Sequence, residues 1–314
     1  TATPQIYTLS LHDALPISGI GYGLLAYGIW GFFPLYFHQL NHVAPADILV
    51  NRALWACVFV GLLLAATRQW AKVRAIVGRP RQLAMLALAA LLVGSNWLVF
   101  LWAVGQHRVV ESSLGYFLTP LVNVLLGLVF LKERLNRLEW LAIGLASAGL
   151  ANEIATLGGL PWVSLFLAGS FGTYGLVRKQ IPVDALSGLF LETLLMLPLC
   201  LAYAAWQWQA GHAVFIVEPW TTGALLGGAG ILTAAPLIAF AAATQRLDLA
   251  TVGMLMYINP TMQFLTAIYV FGEALQPEKL ITFGLIWLGL LVFSVAMWRQ
   301  LRRRPPATPE KLSG

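Results

Sequence analysis

The chain has 314 residues, of which 59% are hydrophobic and 10% are charged, and its mean hydropathy is +0.77. An average soluble domain is about 45–50% apolar and about 25% charged, so this composition excludes an ordinary soluble enzyme, and the surplus apolar surface must face lipid. The net charge of +6 is small and sits at the ends of apolar runs, which argues against nucleic acid as a partner and predicts a membrane protein.

Residues 1–18 differ from the rest of the chain. They are polar and aperiodic, and they have neither the basic start nor the long apolar run of a signal peptide. The string LHDALPIS at residues 11–18 is similar to the translation of a sequencing adapter. We expect 1–18 to be a non-native leader, with a short native tail as the alternative, and we assign no function to His12 or Asp13.

Ten apolar runs follow in chain order, each near the length of about 17–25 residues that spans a bilayer as a helix. Their short linkers predict an all-α membrane protein with antiparallel neighbours. The predicted spans are Gly19–Leu40, Ala46–Thr67, Gln82–Val104, Val109–Leu131, Leu138–Glu153, Leu160–Val177, Asp184–Trp206, Thr222–Ala243, Leu247–Phe271 and Leu280–Trp298.

Basic residues collect on one side of this arrangement. Of the 19 Lys and Arg residues, 16 fall in the connections and tail of one side, two (Arg108 and Lys279) fall on the other, and Arg52 falls within a span. Because cytoplasmic loops carry the excess of Lys and Arg, we expect both termini to be cytoplasmic.

The two halves of the chain resemble each other. Ser113–Glu133 matches Gly253–Glu273 at an offset of 140, which aligns Pro120 with Pro260 as symmetric helix-breaking positions. Chance similarity between leucine-rich helices is the alternative. An odd number of spans per copy makes the second copy cross in the opposite sense, which is typical of secondary transporters.

The repeat predicts four segments. After the leader, residues 19–155 form the first five-helix repeat, 156–299 form the second, inverted one, and 300–314 form a basic cytoplasmic tail.

Seven segments carry a resemblance that covers about residues 19–300. They are Trp30-Gly31, PADILVNRALW (Pro45–Trp55), GSNWLVFLWAV (Gly94–Val104), ESSLGYFLTPLVNVLLG (Glu111–Gly127), YGLVRKQI (Tyr174–Ile181), LETLLMLP (Leu191–Pro198) and YINPT (Tyr257–Thr261). In combination they resemble the RarD permeases, in the EamA branch of the drug/metabolite transporter superfamily. The resemblance implies a ten-helix permease of the bacterial inner membrane with two EamA repeats. These permeases are conventionally labelled as chloramphenicol-resistance proteins. The label favours efflux as the direction of transport, but it identifies the family better than it identifies a substrate.

Two charges are predicted to lie deep in the membrane, where each is costly and needs a reason. At about 1.5 Å per residue, Arg52 lies roughly 9 Å from the outer edge and Glu192 roughly 12 Å from the inner edge. We expect the two side chains to meet, directly or through water, in a central cavity. The alternatives are an Arg52 that reaches the outer headgroups and a protonated Glu192 that packs helices. A carboxyl between desolvation and a nearby arginine suits a proton carrier, so Glu192→Gln is expected to insert normally and lose pH-driven uphill transport.

Other polar and aromatic side chains at depth are candidates to line the same cavity, for an amphipathic or aromatic solute. Hydrogen bonding between helices is the equally plausible alternative for the amides, and an interfacial belt is the alternative for some rings. The candidates are Asn96, Trp97, Tyr116, Asn123, Tyr174, Tyr257, Asn259 and Gln263.

Catalytic, nucleotide-binding and metal-binding motifs are absent from the sequence. We therefore expect no cofactor, no metal and no enzymatic activity, but a secondary carrier of small organic metabolites or drugs that is driven by a gradient, with protons as one candidate for the coupling ion. An integral membrane enzyme or a sensor acting on a lipid-soluble ligand is the alternative. Substrate identity, transport direction, coupling ion and oligomeric state stay open at this level.

The basic bias makes the orientation testable. A reporter that is active only in the periplasm should stay silent when it is fused after Gly314, because the tail is predicted to be cytoplasmic. The same reporter placed at Arg108 is the matched positive control. Periplasmic activity of the C-terminal fusion would contradict the span count.

Overall fold

A computed structural model describes residues 11–105, 109–157, 162–212, 219–270, 272 and 277–303. Its elements over these ranges are helical, with a short 3₁₀ helix at His38–Leu40 and no strand. The α-helices are α1 Leu11–Gly31, α2 Phe33–Phe37, α3 Pro45–Ala66, α4 Trp70–Val77, α5 Pro80–Gly105, α6 Val109–Phe130, α7 Arg137–Leu157, α8 Trp162–Gln180, α9 Ala185–Gln209, α10 Trp220–Arg246, α11 Leu249–Met256, α12 Ile258–Tyr269 and α13 Pro277–Arg303.

Six stretches are long and apolar enough to cross a membrane in the described part of the chain. They are Ser18–Leu40, Pro45–Ala66, Pro80–Phe100, Ala185–Gln209, Trp220–Arg246 and Leu280–Arg299, with Gly115–Phe130 as a shorter apolar helix. The protein is therefore an all-helical, multi-pass membrane protein. The ten-span count stays a prediction, since α7 and α8 carry charges near their ends and the ninth predicted span is divided between α11 and α12.

The two aligned prolines act differently on their helices. Pro260 has no N–H for the carbonyl of Met256, and α11 ends at that residue before α12 begins at Ile258. Pro120 lies inside an uninterrupted α6, so its prediction as a helix-breaking residue was wrong. Membrane helices tolerate proline where neighbouring groups satisfy the freed carbonyl.

Two further features differ from the predicted spans. The first predicted span is divided, since α1 ends at Gly31 and α2 follows with Pro34 in its first turn. The connection between the second and third spans contains α4, which buries Val73 and Ile76 and exposes its charged residues. Its apolar residues are three apart, as one helix face requires, but the surrounding basic residues indicated only a cytoplasmic loop.

Helices from the two halves pack together. The principal pairs are α7 with α13, α6 with α8, α3 with α10 and α1 with α10. The first pair crosses at glycines: a Cβ on Gly149 would lie 2.8 Å from the carbonyl oxygen of Thr282, and one on Gly289 would lie 2.8 Å from that of Ala142. Glycine is required at both positions because the backbones approach so closely.

The N-terminus of α11 is capped by a carboxylate from elsewhere in the chain. The Oε1 and Oε2 atoms of Glu133 accept hydrogen bonds from the backbone N–H groups of Leu249 (2.7 Å) and Ala250 (3.1 Å), the first residues of α11. Asp248 occupies the N-cap position but makes no side-chain capping bond. Lys179 Nζ lies 3.9 Å from Glu133 Oε1. Glu133 therefore joins the start of α11 to the ends of α6 and α8.

Removing this remote cap should cost more than removing the residue at the cap position itself. We expect Glu133→Ala to lower the free energy of unfolding by about 1–2 kcal/mol, because two backbone donors lose a charged acceptor at a helix N-terminus. Asp248→Ala is the matched control and should change it little. Unfolding in SDS, followed by fluorescence, measures both, and equal effects of the two substitutions would contradict the assignment.

Candidate functional site

A cavity of about 550 Å³ lies between helices of the two halves. The first half contributes residues of α1, α2, α3, α5 and α6, and the second contributes residues of α8, α10, α11 and α12. Aromatic and aliphatic side chains form most of its wall, together with a few polar groups, as in small-molecule sites. Asn41, Val43 and Pro45 belong to the lining, so the cavity reaches the end of the bundle where α2 connects to α3.

Arg52 is held on the cavity wall by rings and one hydroxyl. Its guanidinium carbon lies 5.1 Å from the ring centre of Trp97, 5.2 Å from that of Phe37 and 5.6 Å from that of Phe33. Its Nε donates a hydrogen bond of 2.8 Å to Thr233 Oγ1 on α10. These contacts stabilise the cation through the ring faces and hold it at the cavity instead of the headgroups.

Six of the ten predicted cavity residues belong to the lining. They are Arg52, Asn96, Trp97, Tyr116, Asn259 and Gln263. The amides also bond within the protein: Asn96 Nδ2 donates to Leu167 O and Ser170 Oγ, both at 2.9 Å, and Gln263 Nε2 donates to Asn259 Oδ1 at 2.8 Å. Asn96, Asn259 and Gln263 therefore line the cavity and also form hydrogen bonds within the protein, the two interpretations that the sequence left open for the amides.

The other four predicted residues, Asn123, Tyr174, Glu192 and Tyr257, lie outside the lining. Asn123 is fully buried and faces the α8 glycines. Tyr257 donates to Phe117 O at 3.3 Å, and Tyr174 stacks on Phe240 with ring centres 5.8 Å apart. Their helices are the expected ones, but the faces that carry them pack against other helices.

Glu192 pairs with Arg178 instead of Arg52. Arg178 Nη1 lies 3.1 Å from Glu192 Oε1, and the two side chains are 0% and 1% exposed. Tyr174 donates to Glu192 Oε2 at 3.1 Å. The expected contact between Arg52 and Glu192 was therefore wrong: α9 turns this carboxylate toward the end of α8, and Arg178, assigned by sequence to a cytoplasmic connection, is inside the protein.

A glycine makes room for this pair. A Cβ on Gly188 would overlap the guanidinium of Arg178. Gly188 lies one helical turn before Glu192, so the absence of its side chain lets Arg178 reach the carboxylate along α9. The pattern Gly-x-x-x-Glu was the only sequence signal for this contact, and by itself it indicates nothing about the partner.

Phe33, Phe37 and Thr233 are site residues that sequence reasoning did not identify. The aromatic run around Pro34 was a usable signal for the two phenylalanines, although such runs are common at membrane interfaces. Thr233 is an ordinary residue of an apolar helix, and only the packing of α10 on α3 gives it a role. Among the described residues, no group of three His, Cys, Asp or Glu side chains is arranged to hold a metal ion.

Known proteins match this chain in sequence and in fold. The model of the EamA-like transporter family matches residues 17–152. Protein RarD of Escherichia coli K12 is 41% identical over 285 residues, which cover 90% of this chain and 96% of that protein. A protein named as an uncharacterized transporter in Vibrio cholerae is 43% identical over 277 residues, or 88% and 92% of the two chains.

A solved crystal structure has the same fold, with a TM-score of 0.68 and 18% identity over 90% of this chain and 99% of that one. A multi-pass helical bundle with a cavity between its halves is the architecture of a membrane transporter. The chain belongs to the EamA-like transporter family, as a permease of the RarD type.

Because Glu192 is paired with Arg178, the Glu192→Gln substitution should change the stability of the protein as well as its charge. We expect it to lower the free energy of unfolding by about 3–5 kcal/mol, since it leaves the Arg178 charge buried without its partner. Normal insertion of this variant stays a separate prediction. Exchanging both residues, Arg178→Met with Glu192→Met, should recover at least half of the loss.

The control for this comparison is Asp248→Asn, which neutralises an exposed carboxylate. SDS-induced unfolding of the four proteins measures the differences. A Glu192→Gln protein as stable as the Asp248→Asn protein would refute a structural role of the ion pair.

Proposed function

We propose that the protein is a secondary transporter of small organic metabolites or drugs in the bacterial inner membrane, with both termini in the cytoplasm. One observation carries this proposal: the cavity of about 550 Å³ is lined from both halves of the chain. Substrate sites of transporters built from inverted repeats lie at such an interface, near the middle of the bilayer.

The packing of helices supports two inverted five-helix repeats, at 19–155 and 156–299. Under an exchange of the halves, α7 corresponds to α13, α3 to α9, and α6 to α11 with α12. Each of these corresponding pairs is in contact. The contact of α6 with α8 also has its counterpart in that of α1 with α12. Gly149 and Gly289, where α7 and α13 cross, are again 140 residues apart.

The cavity and the contacts opposite to it support alternating access. The cavity reaches the α2–α3 connection, which is periplasmic in the proposed orientation. At the other end, Lys179 Nζ donates to the carbonyl oxygens of Thr244 and Leu247, and Gln245 Nε2 donates to Val183 O at 2.6 Å. With Glu133, these bonds close the cytoplasmic end. The described conformation is then the outward-facing one, and inward opening requires that these bonds break.

Efflux and proton coupling form the finer part of the proposal. Glu192 is outside the cavity, but Tyr174, which bonds it, contacts Phe171 with ring centres 5.7 Å apart, and Phe171 belongs to the lining. A movement of the cavity floor is therefore transmitted to the ion pair within two side chains. If Glu192 exchanges a proton, the pair with Arg178 has to separate during each transport cycle.

The proposal predicts that filling the cavity blocks transport. In proteoliposomes, Leu49→Trp should reduce counterflow of transported solutes at least tenfold, because Leu49 lines the cavity. Leu62→Trp is the matched control on the same helix: this side chain is 65% exposed on the outer surface of the bundle, and its exchange should leave counterflow unchanged.

A panel of organic acids, amines and neutral drugs, with and without a pH gradient, identifies the solutes and tests coupling. Absence of protein-dependent flux across the panel would contradict a carrier and favour a membrane enzyme or sensor. Flux that survives Leu49→Trp would remove this cavity from the path.

A further inference from the structure

Arg52 is the only charged residue among the described residues that line the cavity. The other polar residues of the lining are neutral, and the remainder are apolar or aromatic. In a bilayer, an isolated charge of this kind is expensive. Among the described residues, the charge on the cavity wall is therefore positive and located at Arg52, beside large apolar surfaces.

This arginine is not neutralised within the protein. In the described ranges, no carboxylate lies within 4.0 Å of it; the two ion pairs found there are Arg178 with Glu192 and Lys179 with Glu133. Thr233 donates its own hydrogen to Ala229 O at 2.7 Å, so its hydroxyl accepts from Arg52 Nε and supplies a dipole but no charge. Among the described residues, the positive charge of Arg52 therefore has no counter-charge at the cavity.

The two arginines at depth differ in what their terminal nitrogens face. All three guanidinium nitrogens of Arg178 are buried. Nη1 and Nη2 of Arg52 have no hydrogen-bond acceptor among the described residues, and yet neither atom is one of the buried nitrogens that lack a partner. Nitrogens that have no acceptor and are not buried are accessible at a surface, and the surface to which Arg52 contributes is that of the cavity. Two parallel N–H donors match the two oxygens of a carboxylate.

The rings around Arg52 fix this geometry before a solute arrives. The guanidinium carbon lies over the rings of Phe33, Phe37 and Trp97 at 5.1–5.6 Å from their centres, and ring faces accept no strong hydrogen bonds from Nη1 and Nη2. A preorganised charge loses little conformational entropy on binding. Beyond the guanidinium, Phe100 and Phe171 continue the aromatic wall, which suits an apolar ring.

Resting on the function proposed above, we propose that the cavity selects organic anions: a carboxylate that binds Nη1 and Nη2 of Arg52, attached to an aromatic or aliphatic body that packs on the surrounding rings. A neutral solute of the same shape lacks the charge-assisted hydrogen bonds, and an amine is repelled by the guanidinium. Charge at Arg52 therefore sets the substrate class of this transporter.

Three probes that share one ring and one chain length test this selection. They are 3-phenylpropionate, 3-phenylpropanol and 3-phenylpropylamine, whose binding to the purified full-length protein in nanodiscs is measured by calorimetry at neutral pH. We expect the anion to bind about tenfold or more tightly than the alcohol, since hydrogen bonds to charged groups are the stronger ones, and the amine to bind most weakly.

Variants then assign the preference to Arg52. Arg52→Gln should weaken binding of 3-phenylpropionate by about tenfold or more and leave 3-phenylpropanol within about twofold, which also reports a folded cavity. Arg52→Lys should retain a preference for the anion, at reduced strength. Arg74→Gln, an exchange on the exposed side of α4, is the matched control and should change nothing.

The outcomes separate this inference from the proposed function. Equal binding of the three probes, tighter binding of the alcohol or amine, or an anion preference that persists in Arg52→Gln would overturn the anion site. If the wild-type protein transports 3-phenylpropanol or 3-phenylpropylamine in proteoliposomes in preference to the anion, the carrier stands and the inference fails. If 3-phenylpropionate binds through Arg52 but is not transported, the site stands and the carrier function fails.

Discussion

A bilayer offers no water to a buried charge, so every ion inside this bundle has to be held by the protein itself. Each of these ions joins two or more helices, in two of the three cases across the two halves of the chain. Glu133 joins the ends of α6 and α8 to the start of α11, and Arg178 joins α8 to α9. Arg52 joins α3 to α10 through Thr233. Packing of apolar side chains alone provides little direction in lipid, and these polar contacts fix which helices are neighbours.

The two deep arginines show two solutions to the same problem. Arg178 is completely buried, is paired with a carboxylate and is accommodated by a glycine, so its charge has a structural role. Arg52 is held by ring faces and a hydroxyl and keeps two nitrogens toward a cavity. Arg178 therefore joins two helices, whereas Arg52 is the residue for which we propose a role in binding a solute.

Polar contacts hold both ends of the bundle, including, beside the α2–α3 connection, those of Tyr36 with Leu225 O and of Gln207 with Asp47. One end of the bundle is held by Glu133, Lys179 and Gln245, which bond backbone groups at helix ends. The other end contains the cavity, whose wall is mostly aromatic. In the proposed transport cycle, the hydrogen bonds at the first end break while the apolar core stays packed.

The sequence by itself determined the class of the protein, because apolar runs of membrane length and family motifs are local properties. It also identified the deep charges, since an arginine and a glutamate within apolar runs are visible without any structure, and Arg52 with five other predicted residues lies on the cavity. Predicted bounds were close for most helices. They failed where a proline divides a run, as at Met256, and the short amphipathic helix α4 was missed in a connection between two spans.

Only the tertiary structure decided the partners of those residues. Sequence arithmetic placed Arg52 and Glu192 at compatible depths, but depth leaves the rotation of each helix about its own axis undetermined. The packing of α9 on α3 and α5 turned Glu192 toward Arg178, and the packing of α10 on α3 brought Thr233 to Arg52 across 181 positions of the chain. The ion pair of Arg178 and the ring contacts of Arg52 depend on these rotations. The rotations follow from the packing of all neighbouring side chains together, which no single segment of the sequence determines.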